Sequence, residues 1–338
     1  MKIGIHHNPG SFSDRWIEYC KKNKIDFKIV DCYRNDIIQQ LEDCDALMWH
    51  HNQANYKDVI FAKQLLFAVE QSGKKVFPDF KTNWYFDDKV GQKYLFESID
   101  VPFVSSYIFY EKNQALDWIN KTAFPKVLKL RGGAGSENVR LIHNRSQAKN
   151  LIKKAFNSGF PAFDSINNLR ERKRKYNEKK TSIKDVVKGV LRFFFPSINV
   201  KMRVKEKGYV LFQEFIPNNK FDIRVIVIDN KAFAIKRMVR NGDFRASGSG
   251  SIKYDYNEIP IKTIELAFKV TDKIQSQCAA IDFVFNHNGE PLILEVSFGF
   301  VSNVYDKCVG YWDKNLQFHE GTFIPQNWMI ELLINNKF

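Results

Sequence analysis

Two carboxylates sit inside apolar runs near the C-terminal end of the chain. Asp282 interrupts Ala280–Phe285 and Glu295 interrupts Pro291–Val296, with a polar turn at Asn286–Glu290 between them. Two short apolar runs joined in this way predict a β-hairpin. A carboxylate removed from water is costly unless something positive pairs with it. Two of them on adjacent strands suit a hard divalent cation such as Mg2+, which takes oxygen ligands. They suit equally well the wet face of an antiparallel sheet, where acidic residues are common. On these residues alone the two readings stand level.

A second group with chemical potential is Lys129. It lies in the strand-like run Phe124–Leu130, just before Arg131-Gly-Gly-Ala-Gly-Ser-Glu-Asn138. Glycines let backbone N–H groups approach a phosphate, because no side chain blocks them. The Gly-Lys-Ser/Thr of a Walker A loop is missing. A glycine-rich hairpin alone is usually only a hairpin; the neighbouring lysine favours phosphate. His6, His7, His50 and His51 follow strand ends, where open α/β sheets place ligands. Loop histidines without a ligand role are at least as common. The turn His6-His7-Asn8-Pro9-Gly10 carries no Gly-x-Gly-x-x-Gly, so nicotinamide chemistry loses its main support. The five cysteines, Cys20, Cys32, Cys44, Cys278 and Cys308, form no CxxC pair and indicate neither a zinc site nor a disulfide framework. A reducing cytoplasm fits them.

The elements that must position these groups alternate from the start. Lys2–His6, Phe27–Asp31, Ala46–His50 and Lys75–Pro78 read as strands. Ser13–Lys22, with Ser13 as N-cap, Asn35–Glu42 and Val59–Gln71 have helical apolar spacing. This order predicts a small parallel, doubly wound sheet over residues 1–80. A helix over 83–97 follows, then an extended segment over 101–109 and a helix over 112–120. After the glycine-rich turn, Val139–Ile142 returns as a strand. Further on, Tyr209–Pro217 reads as a strand ending in Gln213-Glu214. Asp222–Ile228 and Lys231–Arg237 form a hairpin with Asp222, Arg224, Lys236 and Arg237 at strand ends. Asp243–Ser251 is a loop and Pro260–Ser276 a helix leading into the carboxylate hairpin.

With 338 residues, 44% of them hydrophobic, the chain has material for two or three domains. No run approaches the roughly 18–20 apolar residues of a membrane span, and Met1–Ile5 reads as a strand rather than a signal peptide. The net charge of +14 is unevenly placed: residues 170–207 hold 14 lysines or arginines against Glu171, Glu178, Asp185 and Glu206. Within that stretch, residues 183–195 have the spacing of a basic amphipathic helix, which suits an anionic membrane surface or a polyanion. A solvated arm packed on its own domain is the competing reading.

Taken in order, Lys89, Lys129 with its glycine-rich hairpin, Gln213-Glu-Phe-Ile216, Asp222-x-Arg224, Asp282 and Glu295 resemble the ATP-grasp superfamily. Gln-Glu-Phe-Ile, Asp-Ile-Arg, Lys-Arg-Met and Asp-Phe-Arg-Ala-Ser look like the branch containing the glutamate ligase that modifies a ribosomal protein. The resemblance covers about residues 80–300. It implies a mixed α/β fold: a parallel α/β pre-grasp domain at 1–80, an N-lobe at 81–145, a helical basic insertion at 146–208 and a C-lobe at 209–338, the two lobes built on antiparallel sheets. It implies ATP and Mg2+ as cofactors. Lys89 and Lys129 would contact phosphates, with Gly132, Gly133, Gly135 and Ser136 as a lid. Gln213, Glu214, Phe215 and Ile216 would form the adenine hinge, with Asp222 and Lys236 completing the nucleotide site. Asp282 and Glu295 would hold Mg2+, and Ser297 stands where the family usually has an asparagine ligand. Arg224, Arg237 and Arg245 would act on the transferring phosphoryl group, whose oxygens suit a planar guanidinium.

The activity so implied is an ATP-dependent carboxylate–amine ligase working through an acylphosphate. The partners are then a small-molecule carboxylate and an amine. The aromatic extension at 299–321 is similar to ATP-grasp proteins associated with bacterial surface polysaccharides, which ranks a glycan or lipid-linked glycan among the substrates. A cytoplasmic location is expected, with peripheral attachment at the inner face of the membrane through 170–207 as a further expectation; nucleic acid is disfavoured. Two alternatives stay open: a non-catalytic ATP-binding protein, and a polyanion- or membrane-surface-binding protein.

Overall fold

The computed structural model describes residues 1–133, 138–161, 169, 172–174, 176, 181–195, 197–240 and 243–335. Strands β1 (Ile3–His6), β2 (Phe27–Val30), β3 (Ala46–Met48) and β4 (Lys75–Phe77) form a parallel sheet in the order β2-β1-β3-β4. Helices Phe12–Lys22 and Tyr56–Gln71 make its longer crossovers. The first helix is capped by Ser11, whose hydroxyl accepts the Ser13 N–H at 3.2 Å. The expected cap, Ser13, instead turns its hydroxyl to the backbone of Asn8. Only one helical turn, Ile37–Gln40, forms within 35–42.

Strands β5 (Ser106–Phe109), β6 (Lys126–Lys129), β7 (Arg140–Ile142) and β8 (Val210–Glu214) form an antiparallel sheet in the order β5-β8-β6-β7. Leu128, Val210 and Phe212 pack in their own core with Ala115, Ile119, Ala148 and Ile152 of helices Lys112–Lys121 and Arg145–Phe156. The largest sheet contains β9 (Phe221–Ile228), β10 (Lys231–Met238), β11 (Ile252–Lys253), β12 (Cys278–Phe285), β13 (Pro291–Ser297), β14 (Gly310–Asp313) and β15 (Phe318–Glu320). Its order is β13-β12-β9-β10-β14-β15, with β11 paired to β10. The carboxylate hairpin is β12–β13, as its two apolar runs predict.

Period-two alternation divides the faces of β9. Ile223, Val225 and Val227 point to a core roofed by helix Ile261–Ile274 through Ile264, Ala267 and Phe268. Ile226 and Ile228, on the other face, join Ile3, Ile5, Met48 and Phe77 of the parallel sheet in a shared core. Helix Pro325–Asn335, for which the sequence carries no anticipated role, closes that same core with Trp328, Met329 and Leu333. The parallel sheet and the seven-stranded sheet are therefore joined by apolar packing rather than merely tethered. All five cysteines are free and buried.

The expected helix over 83–97 is broken. A single turn at Phe80–Asn83 is followed by helix Lys89–Ser98, whose N-cap Asp88 accepts the N–H groups of Val90 and Gly91 at 3.1 and 2.9 Å. Asp87, just before the cap, has a φ of 52°. Two adjacent aspartates restart the helix here, and Lys89 becomes its first residue. Among the described residues no helix is long and apolar enough to cross a membrane.

Candidate functional site

Register on the large sheet assembles a row of charge. Arg237 lies opposite Asp222, Arg224 opposite Asp282, and Asp282 opposite Glu295. Alternation puts all five side chains on one face, beyond the end of the apolar core. Asp282 accepts from Arg224 Nε on Oδ1 at 2.5 Å and from Arg224 Nη2 on Oδ2 at 2.9 Å, and Arg237 Nη2 lies 2.9 Å from the same Oδ2. Arg237 also holds Asp222 through two bonds of 2.6 Å. Burial disfavours charge on Asp282, but the two guanidiniums outweigh it and hold the carboxyl below the usual range. Burial likewise works against Arg237, and Asp282 and Asp222 outweigh it, keeping the guanidinium charged. A β-bulge after Asp282 places Leu294 as an extra residue, and Leu294 and Glu295 both line the cavity.

That cavity, of about 610 Å3, lies between the two antiparallel sheets and the loop after β3. The smaller sheet contributes Val127 and Lys129, alternate residues of β6, and Gln213 of β8. The Lys129 ammonium makes no ion pair within 4 Å among the described residues, and burial pushes its pKa down to about 8, against the pull of Glu295. Lys89 is tied to the glycine-rich turn twice: its N–H donates to Arg131 O at 2.9 Å and its Nζ to Gly133 O at 2.7 Å. Glu295 is 3.9 Å from the same ammonium. Gly133 has a φ of 118°, which glycine adopts without the clash a Cβ brings. Strand β8 ends at Glu214, and Phe215 and Ile216 line the cavity beyond the end of the ladder.

Residues 178–310 match the RimK-like ATP-grasp domain. The chain has an ATP-grasp fold. The likeness runs its full length. D-cycloserine synthetase DcsG superposes with a TM-score of 0.61 at 11% identity, over 99% of this chain and 99% of that one. A RimK domain protein of Sphaerobacter thermophilus gives 0.58 at 13%, over 99% and 100%. The D-alanine–D-alanine ligase of Bacillus anthracis, complexed with ATP, gives 0.53 at 13%, over 90% and 91%. At such identities the likeness is one of fold. No curated protein matches the sequence.

On this ATP-grasp frame most of the expected site residues converge. Lys89, Lys129, Gly133, Gln213, Glu214, Phe215, Ile216, Asp222, Arg224, Arg237, Arg245, Asp282, Glu295 and Ser297 line one cavity. Gly132 does not line it and lies against the Asp87 carboxylate. Gly135 and Ser136 lie outside the described residues. Lys236 belongs elsewhere: it pairs with Ile223, so it projects to the opposite face of β10 from Arg237. There its ammonium lies 2.7 Å from Glu258 and 4.1 Å over the Phe221 ring. Glu214 presents its carboxylate to Lys126 at 2.6 and 2.7 Å, so its side chain serves the sheet. Arg245 is held by Asp243 at 2.6–3.0 Å on the loop that covers the cavity. The extension at 299–321 divides: Gly299, Phe300, Val301, Val304 and Tyr305 line the cavity, whereas Asp313, His319 and Glu320 form the β14–β15 edge, with His319 Nε2 2.9 Å from Asp313.

The donor set at the hairpin fits Mg2+ in the form it commonly takes in phosphate sites. Mg2+ keeps water and phosphate oxygens and asks only one or two carboxylates of the protein. Asp282 and Glu295 supply those. Ser297 lies two residues on, but its hydroxyl is engaged with the N–H and carbonyl of Gly299 at 3.0 and 3.2 Å. A metal at Asp282 must also share that carboxylate with two arginines.

One group, Asp87, was missed, and two of the four strand-end histidines, His50 and His51, reach the site. Asp87 accepts the Gly133 N–H at 2.8 Å and so fixes the turn; the Asp-Asp pair before Lys89 was its signal. His50 and His51 line the cavity, and burial pushes both down to about 3, so both are neutral near pH 7. The Phe12 N–H donates to His50 Nδ1 at 3.1 Å, leaving the ring proton on Nε2. His51 Nε2 is engaged with Asn83 at 2.7 Å.

Proposed function

We propose that the chain is an ATP- and Mg2+-dependent ligase that joins a carboxylate to an amine through an acylphosphate. One observation carries this reading: two lysines, two carboxylates and two arginines, drawn from two sheets and the start of helix Lys89–Ser98, meet in one cavity. Lys89 and Lys129 offset the crowding of charge on the phosphates, and the Gly133 turn, whose N–H is held by Asp87, bounds that part of the cavity. The cavity wall beyond β8, at Phe215 and Ile216, takes the adenine. Asp282 and Glu295 would hold Mg2+, which when bound would supply charge neutralisation at the phosphates. Arg224 and Arg237 sit beside those carboxylates, where a transferred phosphoryl group develops negative charge.

In the reaction the substrate carboxylate oxygen attacks the γ-phosphorus and the bond to ADP breaks. The amine then attacks the acyl carbon, phosphate leaves with the electron pair, and the amine gives up a proton as the amide forms. Phe300, Val301 and Tyr305, with the neutral His50, bound the side of the cavity away from the nucleotide, which suits an organic acyl or amine group more than a further phosphate. An amino acid, or a sugar or peptide carboxylate of a surface polysaccharide, is the substrate class we favour, on the strength of the aromatic extension.

The test is ADP release on offering ATP, Mg2+ and a panel of carboxylates with amines, followed by mass spectrometry of the products. Tight ATP binding without turnover on any pair would sink the ligase reading. It would leave a non-catalytic nucleotide-binding protein, which the engaged hydroxyl of Ser297 and the double capping of Asp282 by arginines favour.

A further inference from the structure

We propose that helix Ile183–Phe194 and the segment that follows it, to Lys207, form a docking surface for an anionic membrane. The helix has two unlike sides. Gly189 is buried, and a Cβ there would meet Arg172 Cδ at 2.6 Å and Leu169 Cδ1 at 3.2 Å; Arg172 donates to Asp185 O at 3.1 Å. That side packs on residues 169 and 172 of the same insertion. The other side carries Ile183, Val187, Val190 and Leu191, spaced i, i+4, i+7 and i+8, and these are 41–54% exposed. Further along the chain Phe195, Ile198, Met202 and Val204 are also exposed, by 76, 61, 52 and 85%. Isolated exposed apolar residues need no explanation, but a contiguous stripe of this kind marks a surface that meets something.

Charge says what it meets. Residues 181–207 hold seven lysines or arginines and only two carboxylates, Asp185 and Glu206. Lys184 and Lys188 are exposed and follow Ile183 and Val187 by one position, which sets them along the edge of the apolar stripe. Lys201, Lys205 and Lys207 are exposed alongside Met202 and Val204. Aliphatic side chains bordered by long cations match the boundary between acyl chains and anionic headgroups, where the stems lie along the apolar layer and the ammonium groups reach outward. A nucleic acid would be met by cations with aromatic stacking platforms, whereas this stripe is mostly aliphatic.

The surface is anchored to the body of the protein, not hung from it. Phe160 and Glu206 pair through backbone bonds of 2.8 and 2.9 Å. Asn199 accepts the Tyr56 N–H at 3.3 Å, and Arg203 donates to the Gln53 carbonyl. Gln53 lines the cavity. The Arg203 bond ties the docking segment to the cavity wall, and a substrate linked to a lipid is the class such a tie would serve; this last step alone rests on the ligase reading.

The experiment is flotation of the full chain with vesicles of phosphatidylcholine, and with vesicles that also contain phosphatidylglycerol, at low and high salt. The full chain is expected on the anionic vesicles only, and to come off as salt rises. Lys184→Gln and Lys188→Gln should each weaken binding about fivefold, the share of one lysine at an anionic surface. Val187→Asn with Leu191→Asn leaves the charge unchanged and touches only exposed positions, yet should abolish retention. Absence of binding to the anionic vesicles overturns the proposal. So does retention that ignores the Val187–Leu191 variant while RNA competes for the protein, which would mark a polyanion site. A change confined to oligomeric state in that variant also overturns it, in favour of self-association. None of these outcomes depends on turnover, so failure of the ligase assay and failure of docking are told apart.

Discussion

Asp282 is the residue on which most of the site's charge depends. Asp282→Asn keeps the shape of the side chain but leaves Arg224 without its carboxylate and Arg237 with Asp222 alone. Removing one partner of a buried ion pair costs about 3–5 kcal/mol, and the lower end applies because Arg237 keeps a partner. The expected outcome is a lower Tm together with loss of Mg-ATP-dependent turnover; a fully active variant would refute the metal role. Lys129 makes a prediction of opposite sign to the usual lysine. Burial brings its pKa down to about 8, so the nucleotide-free protein loses this cation as pH rises through 8. ATP affinity measured by calorimetry should fall above pH 8, approaching about tenfold per pH unit, and Lys129→Arg should flatten that fall. The sign for stability is reversed. Between pH 8 and the ordinary lysine value of 10.5, the unfolded chain holds a proton that the folded chain has released. Stability therefore gains from rising pH in that window, and Lys129→Met should lack the gain. His50 and His51 carry a third expectation. With both pushed to about 3, their ring resonances should not titrate between pH 8 and 5 in an NMR series, and neither should shape the pH profile there.

At the scale of elements, the glycine-rich turn is held as one piece with the start of helix Lys89–Ser98. Asp87 takes the Gly133 N–H and Lys89 takes its carbonyl. Gly133→Ala forces a Cβ into a φ of 118°, at a cost of roughly 1–2 kcal/mol, and it loosens Lys89. Gly73→Ala, at a φ of 84° with open space around it, imposes similar strain far from the site. Both variants should melt earlier, but only Gly133→Ala should weaken ATP binding; equal affinities would mean that the turn does not organise the phosphate site. These elements also show what the sequence made legible. The apolar runs around Asn286–Glu290 gave the carboxylate hairpin with both strands, and the turn fixes its register as far as Phe283 and Ile293; the bulge at Leu294, which sets Asp282 opposite Glu295, leaves no local signal. The same logic was available for β9–β10. Counting outward from Asp229-Asn230 pairs Ile228 with Lys231 and hence Asp222 with Arg237, which sends Lys236 to the apolar face. Its inclusion in the nucleotide site came from the resemblance, against that count. The pairing of Arg224 with Asp282 joins strands 58 residues apart, and no local pattern records it. Nor did helical spacing reveal the break before Lys89, since apolar residues continue through 84–86 and only the adjacent aspartates mark the restart.

At the scale of the whole molecule, the cores predict which parts move together. The parallel sheet, the seven-stranded sheet and helix Pro325–Asn335 share one apolar cluster, so they should open as a unit. The smaller antiparallel sheet has a separate cluster. It is joined to the large sheet near Phe103, where Val104 N–H donates to Ile293 O at 2.9 Å and Ile293 N–H to Pro102 O at 3.0 Å. This joint, with the ties of Asp87 and Lys89 to the Gly133 turn, leaves the two cores separate, so one sheet can open without dissolving the core of the other. Yet the cavity draws Lys129 from the small sheet and Asp282 with Glu295 from the large one, so a nucleotide held as proposed would bridge the two sheets. Hydrogen exchange without nucleotide should show β5–β8 losing protection sooner than β9, β10 and β12. Adding Mg-ATP should slow exchange in β6, β8 and the Pro102–Val104 joint more than in the shared core, because anything bound only to the closed arrangement stabilises it by mass action. In Asp282→Asn that slowing should vanish even at saturating ATP, since the small sheet would then hold a nucleotide that the large sheet no longer grips. Uniform slowing across both lobes would show that they are one cooperative unit and that the joint is not a hinge.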